Sequence, residues 1–212
     1  MSRGQYHLTV LRFARLGATV VSWDINTAGN EETIAMIKKE DKDNKAFAFT
    51  VDMTSKYCSL YSSLILTCCY DRNDIYESAR KTKAEVGQVS FLVNNAGIVS
   101  GTPLLDTPDE KIIRTFDVNI MAHFWTLKAF LPDMINHKQG HLVNVASLAG
   151  HSGTNKLVDY CSSKFAAVGL DEALRVELFV QGHSEYIKTT VICPYYISTG
   201  MFAGVQVFID HF

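Results

Sequence analysis

Two rhythms of apolar and polar positions take turns along this chain. Short apolar runs recur at residues 18–23 (ATVVSW), 45–51 (KAFAFTV), 89–93, 141–146 and 186–193. Runs of that length, rich in β-branched and aromatic residues, are typical of strands buried on both faces of a parallel sheet. The stretches between them follow helical spacing. Over 5–16, Tyr6, Val10, Phe13 and Ala14 share one face, and Gly17 is placed to end the helix. Residues 30–40 predict a second helix, capped by Asn30 with Glu31 and Glu32 in its first turn. Residues 71–86 predict a third. Residues 108–137 predict one long helix with an apolar set of Ile113, Phe116, Ile120, Phe124 and Leu127. Residues 157–180 predict another, with small residues Ala166, Ala167 and Gly169 suited to close packing. Strands alternating with helices predict an α/β fold: a Rossmann-like, doubly wound parallel sheet with right-handed crossovers. Ligands of such sheets bind at the carboxyl ends of the strands. Asp24, Asp52, Asn94, Ser147 and Pro194 all fall at those ends.

One segment breaks the alternation. Residues 55–70 (SKYCSLYSSLILTCCY) are apolar, cysteine-rich and without clear period. They fall where a connection of about 2–6 residues is usual. They read as an insertion into a single domain spanning 1–212, with no role in chemistry. A membrane-binding hairpin is the other reading, although the segment is too short to span a bilayer.

Composition narrows the picture by exclusion. The net charge of −2 leaves no basic footprint for nucleic acid. No apolar run approaches the ~20 residues of a membrane-spanning helix, and the first residues carry no signal-peptide core. The five cysteines match no zinc spacing and read as reduced thiols, and no metal is assigned.

The candidate chemistry gathers in residues 142–164 (LVNVASLAGHSGTNKLVDYCSSK). Tyr160 and Lys164 are one helical turn apart and emerge on one face. A strand-like run delivers Ser147 to the loop in front of that helix. A hydroxyl, a phenol and an ammonium at one point suit proton transfer to or from an alcohol oxygen. The positive charge is expected to draw the phenol from about pKa 10 toward neutral pH. Tyr-x-x-x-Lys alone also fits an ordinary solvated helix face. Here it comes after Asn94-Asn95-Ala96-Gly97 and Asn119 in order.

Together these motifs resemble the short-chain dehydrogenase/reductase family, over residues 12–202. The phrasing FARLGATVV, NNAGIVSG, LPDMI and CPYYISTGMF is similar to its retinol- and 17-beta-hydroxysteroid-dehydrogenase branch, of the epidermal-retinol-dehydrogenase kind. The resemblance implies a catalytic tetrad of Asn119, Ser147, Tyr160 and Lys164. Tyr160 would be the general acid/base, Lys164 would tune it and hold ribose hydroxyls, Ser147 would orient the substrate oxygen, and Asn119 would fix a relay water. It also implies a cofactor, NAD in preference to NADP. Asp24 would accept from a ribose 2′-hydroxyl, unless it serves only as a turn or capping residue. Asp52 would contact the adenine amine, and Asn94, Ala96 and Gly97 would let the backbone approach the cofactor. Ile192, Pro194 and Thr199 would cover the carboxamide, with Pro194-Tyr195 standing where the family has Pro-Gly. An NADP-linked reductase would need a basic residue in 23–30, and none is present.

The departure lies at the start. The family's glycine-rich phosphate loop aligns to residues near Tyr6 and His7, where Gly4 is the only glycine. The first strand is therefore expected to be missing from the middle of the sheet, and the chain to be shortened after its last strand, with 205–209 a weak replacement. The implied function is hydride transfer between NAD(H) and an apolar alcohol, ketone or aldehyde, retinoid- or steroid-like. The alternative is a catalytically silent relative acting, if at all, through dimerisation. The resemblance further implies a homodimer, an intracellular location and, through the branch alone, association with endoplasmic reticulum or lipid droplets.

Overall fold

The computed structural model of the chain describes residues 3–40, 45–53 and 72–195. In order, the elements are α1 (Arg3–Arg15), β1 (Val20–Asp24), α2 (Thr27–Glu40), β2 (Ala46–Thr50), α3 (Asn73–Val86) and β3 (Phe91–Asn94). Next come α4 (Asp109–Phe116), a π turn (Asp117–Met121), α5 (Ala122–Asn136), β4 (Gly140–Val145), α6 (Val158–Val180) and β5 (Ile187–Ile192). Every strand pairing is parallel, as the apolar runs predict. The strands form two sheets, β1-β2 and β3-β4-β5. Among the described residues no strand joins them, and the division falls where the missing strand is expected. Side chains from α1 and β1 reach across. Phe13 stacks on Phe91 of β3 with ring centroids 4.9 Å apart. Trp23 meets Phe130 of α5 and donates from its indole to Thr82 of α3 at 3.1 Å.

The larger core packs Leu127, Phe130 and Met134 of α5 with Leu142, Leu178 and Ile187. A smaller one packs Val10, Leu11 and Ala14 of α1 on Ile34, Ile37 and Ala46. Gly17 ends α1 at φ +83°, a conformation that glycine adopts without steric penalty.

Three sequence expectations are corrected. Asn30 does not cap α2, which starts at Thr27 with the Asn26 side chain accepting from the Gly29 N–H. Asn30 is instead buried, its amide donating to the carbonyls of Ser22 and Phe49 at 3.0 Å each. It ties the two strands of the first sheet to the helix above them. The long helix over 108–137 is interrupted by the π turn, which adds a residue to one turn and rotates α5 relative to α4. Ile113, before the π turn, is therefore exposed while Ile120 and Leu127 are buried, and Phe124 is exposed although it shares α5 with Leu127, against the single apolar stripe expected. Gly169 likewise faces open space, and the close helix packing falls to Ala167, against Ile120 and Ala146. Residues 55–70 and 205–209 lie outside the described residues.

Candidate active site

The strand ends assemble the site. Asp24 closes β1, Asn94 closes β3, and Asp52, Ser147 and Pro194 each lie two residues past a strand. Tyr160 and Lys164 occupy the first two turns of α6 and are both buried. The Lys164 ammonium donates to the Val145 carbonyl at the end of β4, at 2.8 Å, and stands 5.8 Å from the Tyr160 ring centroid. Ser147 sits in extended backbone between β4 and α6. Its hydroxyl accepts from the Ala149 N–H at 3.2 Å and is hydrogen-bonded to the Tyr160 phenol. Asn119 lies in the middle of the π turn, a distortion common at functional sites. Its carbonyl accepts from the Ile98 N–H at 2.8 Å, and its amide donates to the Ile98 carbonyl and the Ser163 hydroxyl. Asn119 thus clasps the loop after β3 to the face of α6 that carries Lys164.

Electrostatics depart from the sequence expectation at Tyr160. Burial pushes the phenol up from its ordinary value, the Ser147 hydrogen bond opposes that, and the neighbouring Cys161 adds to it. The sequence has the ammonium prevail, but the ammonium is turned to the Val145 carbonyl, so desolvation wins. Burial also brings Lys164 down, to about 8.

The residues expected to hold a cofactor fare unequally. A Cβ at Gly97 would come to 3.5 Å of the Lys164 ammonium and 3.6 Å of the Asn119 carbonyl oxygen, so the glycine leaves the approach to both open. Asp24 accepts from the Asn26 N–H at 2.8 Å, the turn contact, and it is partly exposed at the strand end. Asn94 is committed inside: it receives a hydrogen bond from Thr126, donates to Asn144, and Asn144 donates to Asp171. That chain aligns the ends of β3 and β4 and takes up the Asn94 side chain. Ala96 is half-buried in the loop that Asn119 holds, and Asp52 is half-buried beyond β2. The Pro194 carbonyl accepts from the Leu148 N–H at 2.9 Å and faces the Ser147 hydroxyl at 3.5 Å, so it fixes the serine loop. Ile192 is exposed, and Thr199 lies outside the described residues.

The family model described as "short chain dehydrogenase" matches residues 63–207, more than half of the chain. This chain belongs to the short-chain dehydrogenase family. Human epidermal retinol dehydrogenase 2 is 49% identical over 201 residues, covering 95% of this chain and 59% of its own length. Estradiol 17-beta-dehydrogenase 11 of Macaca fascicularis is 47% identical over 193 residues, covering 91% and 58%. The chain therefore spans less than two thirds of these relatives. A short-chain dehydrogenase/reductase of Burkholderia phymatum, solved in complex with NAD, matches with a TM-score of 0.80 at 23% identity, over 95% of this chain and 64% of that one. A metagenomic short-chain oxidoreductase in complex with NADP matches with a TM-score of 0.76 at 24% identity, over 93% and 79%. These likenesses establish the fold. No described helix is long and apolar enough to cross a membrane.

Within the short-chain dehydrogenase frame, several supporting residues carry no sequence signal of their own. Asp159 is buried in the first turn of α6 and receives hydrogen bonds from Ser100 at 2.7 Å and Thr115 at 2.8 Å. It ties the loop after β3 and α4 to the first turn of α6. Ser163 bridges Asn119 and the Tyr160 carbonyl. Gly150 lets the serine loop lie on α6, since a Cβ there would meet the Lys164 carbonyl oxygen at 2.7 Å. Gly150→Ala is expected to lower stability by about 1–3 kcal/mol, because the obstructing atom is helix backbone and something must shift. Urea unfolding checks this, and an unchanged midpoint would refute the close approach.

Proposed function

We propose that this chain transfers hydride between NAD(H) and an apolar alcohol or its carbonyl counterpart, retinoid- or steroid-like. The observation that carries the proposal is the convergence of Asn119, Ser147, Tyr160 and Lys164 on one point beyond the ends of β3 and β4. The nicotinamide and ribose ends of the site fit the cofactor: Gly97 leaves the space above Lys164 open, and Asp24 offers a carboxylate at the end of β1, whereas residues 4–7, where the phosphate loop aligns, lie within α1. Lys164, Gly97, Asp24 and the loop around Pro194 would hold it. When bound, the nicotinamide accepts or supplies the hydride. Tyr160 takes the proton from the alcohol oxygen in oxidation and returns it in reduction. Ser147 holds that oxygen by hydrogen bonding, and Lys164 places positive charge beside it. Asn119 keeps the loop of Gly97 in register with Lys164. The exposed apolar side chains of Leu148, Val158 and Tyr195 beside the serine loop support an apolar substrate, as do the names of the relatives.

Titration with NADH tests the reading, monitored by cofactor fluorescence and by the thermal midpoint, which binding to the native state raises. No shift at millimolar NADH overturns it in favour of a silent relative. The preference for NAD rests on Asp24. Asp24→Ala is expected to weaken NAD binding by about 1–2 kcal/mol while leaving NADP less affected, and equal losses in fluorescence titrations refute its role. Phe165, Val176 and Phe179 lie exposed along one side of α6 and support pairing into a homodimer. A monomer in sedimentation at micromolar concentration removes that part.

A further inference from the structure

The proposed reaction leaves one buried titratable side chain beside the site unused. His123 stands in the first turn of α5, four residues after Asn119, and is 2% exposed. Neither of its ring nitrogens has a hydrogen-bond partner. Its neighbours along the helix place it. Asn119 bonds to Ile98 and Ser163, and Thr126, three residues on, donates to Asn94 at the end of β3. The face shared by 119, 123 and 126 therefore lies against the loop after β3 and the first turns of α6. Lys164 stands on that part of α6. Burial, with the field of Lys164 beside it, holds His123 down to about 3, so the ring is neutral at any working pH. Asn94, Asn119, Thr126 and Ser163, which frame it, carry no charge.

A neutral imidazole has one donor and one acceptor nitrogen. A buried donor and acceptor without protein partners are where globular proteins keep an internal water. An apolar residue would fill the same space with nothing to desolvate, so packing alone does not account for a histidine there. The Lys164 ammonium has three N–H donors, and one goes to Val145. We propose that His123 seats an internal water between its ring and the Lys164 ammonium, and that it is a positioning residue for the proton-handling end of the site. The seat for water stands on His123 and Lys164 alone. The positioning role rests on the dehydrogenase reading. Through the water, the ring fixes the rotamer of Lys164 and keeps the ammonium hydrated while protons pass to and from Tyr160. The ring itself gains no net charge.

Crystal structures of the cofactor-free chain and of His123→Phe, at a resolution that shows ordered water, test the seat. A water within hydrogen-bond distance of a His123 nitrogen and of the Lys164 ammonium is expected, and it should vanish in His123→Phe. A dry ring in the wild-type chain overturns the proposal. Kinetics test the role. His123→Phe is expected to lower kcat about tenfold with the KM for NADH unchanged, and His123→Gln, which keeps a donor and an acceptor, to restore most of that loss. Wild-type kcat in His123→Phe, or an equal loss in both variants, overturns the positioning role. Where the Phe variant does not fold, the Gln variant carries both measurements: water retained with near-wild-type kcat is expected, and water lost without change in kcat overturns the role. A water present in a chain that does not bind NADH overturns the dehydrogenase reading and its positioning role, leaving the seat in place.

Discussion

Tyr160→Phe is expected to abolish turnover, by at least about 10²-fold, while NADH binding stays within about twofold of the wild type. The ring is buried against Leu157, Cys161, Val99 and Ala149, and all of that packing survives in the variant. What is lost is the group proposed to exchange a proton with the substrate oxygen. Stability should move by less than about 1 kcal/mol, since a single hydrogen bond with Ser147 goes and the serine hydroxyl keeps the Ala149 N–H and the Pro194 carbonyl as partners. Single-turnover kinetics with matched cofactor fluorescence decide it, and retained turnover removes Tyr160 from the role of acid/base. The direction of its pKa adds a second readout. The phenol is held above its ordinary value, so it is protonated at neutral pH and ready to serve as the acid in carbonyl reduction. Oxidation needs the phenolate. Its rate should climb through the alkaline range, and the rate of reduction should fall over the same interval. A wild-type oxidation rate already level at neutral pH would show that bound cofactor overrides the burial.

Much of this is legible in the sequence because it is written in local pattern. Five apolar runs are five parallel strands, Gly17 ends α1, and the order Asn94, Asn119, Ser147, Tyr160, Lys164 places the candidate site at the strand ends. What escapes is long-range. Asn30 reads as a cap because asparagine caps helices, yet here its amide spans two strands, a contact with no spacing to betray it. The π turn at Asn119 leaves an unbroken helical pattern in the sequence, so periodicity puts Ile113 on the wrong side. Gly150 and Asp159 matter through the backbone and hydroxyls they meet on other elements. His123 looks like one more residue on an apolar helix, and only its burial without partners separates it from the rest. The direction of the Tyr160 shift escapes for the same reason: sequence places an ammonium one turn from a phenol, but it does not tell how deeply both are buried.

Lys164→Met is expected to make the chain more stable at neutral pH and inactive. In the folded chain Lys164 titrates at about 8, against an ordinary value of 10.5, because burial penalises the ammonium. The folded pKa lies below the unfolded one. At pH 7 both states hold the proton, and the folded state bears the whole penalty, about 3 kcal/mol at 1.36 kcal/mol per pH unit. Between about pH 8 and 10.5 the unfolded chain binds more protons, so stability rises with pH across that window and the penalty is gone above it. Methionine has similar bulk and no charge. It removes the penalty but leaves the Val145 carbonyl without this donor, a loss of about 1 kcal/mol. The net gain at pH 7 should be about 1–2 kcal/mol, shrinking toward zero or reversing at pH 10. Urea unfolding of both chains at the two pH values reads this directly, and a variant less stable than the wild type at pH 7 would show that the ammonium is better solvated than its burial implies. An internal water at His123 would do that, so the size of the shortfall measures the solvation the water supplies. Turnover should be lost regardless, because the positive charge proposed to stand beside the substrate oxygen and the donor that faces the space above Gly97 leave together. A residue that weakens the fold and is still needed for chemistry is what an active site asks of a buried lysine.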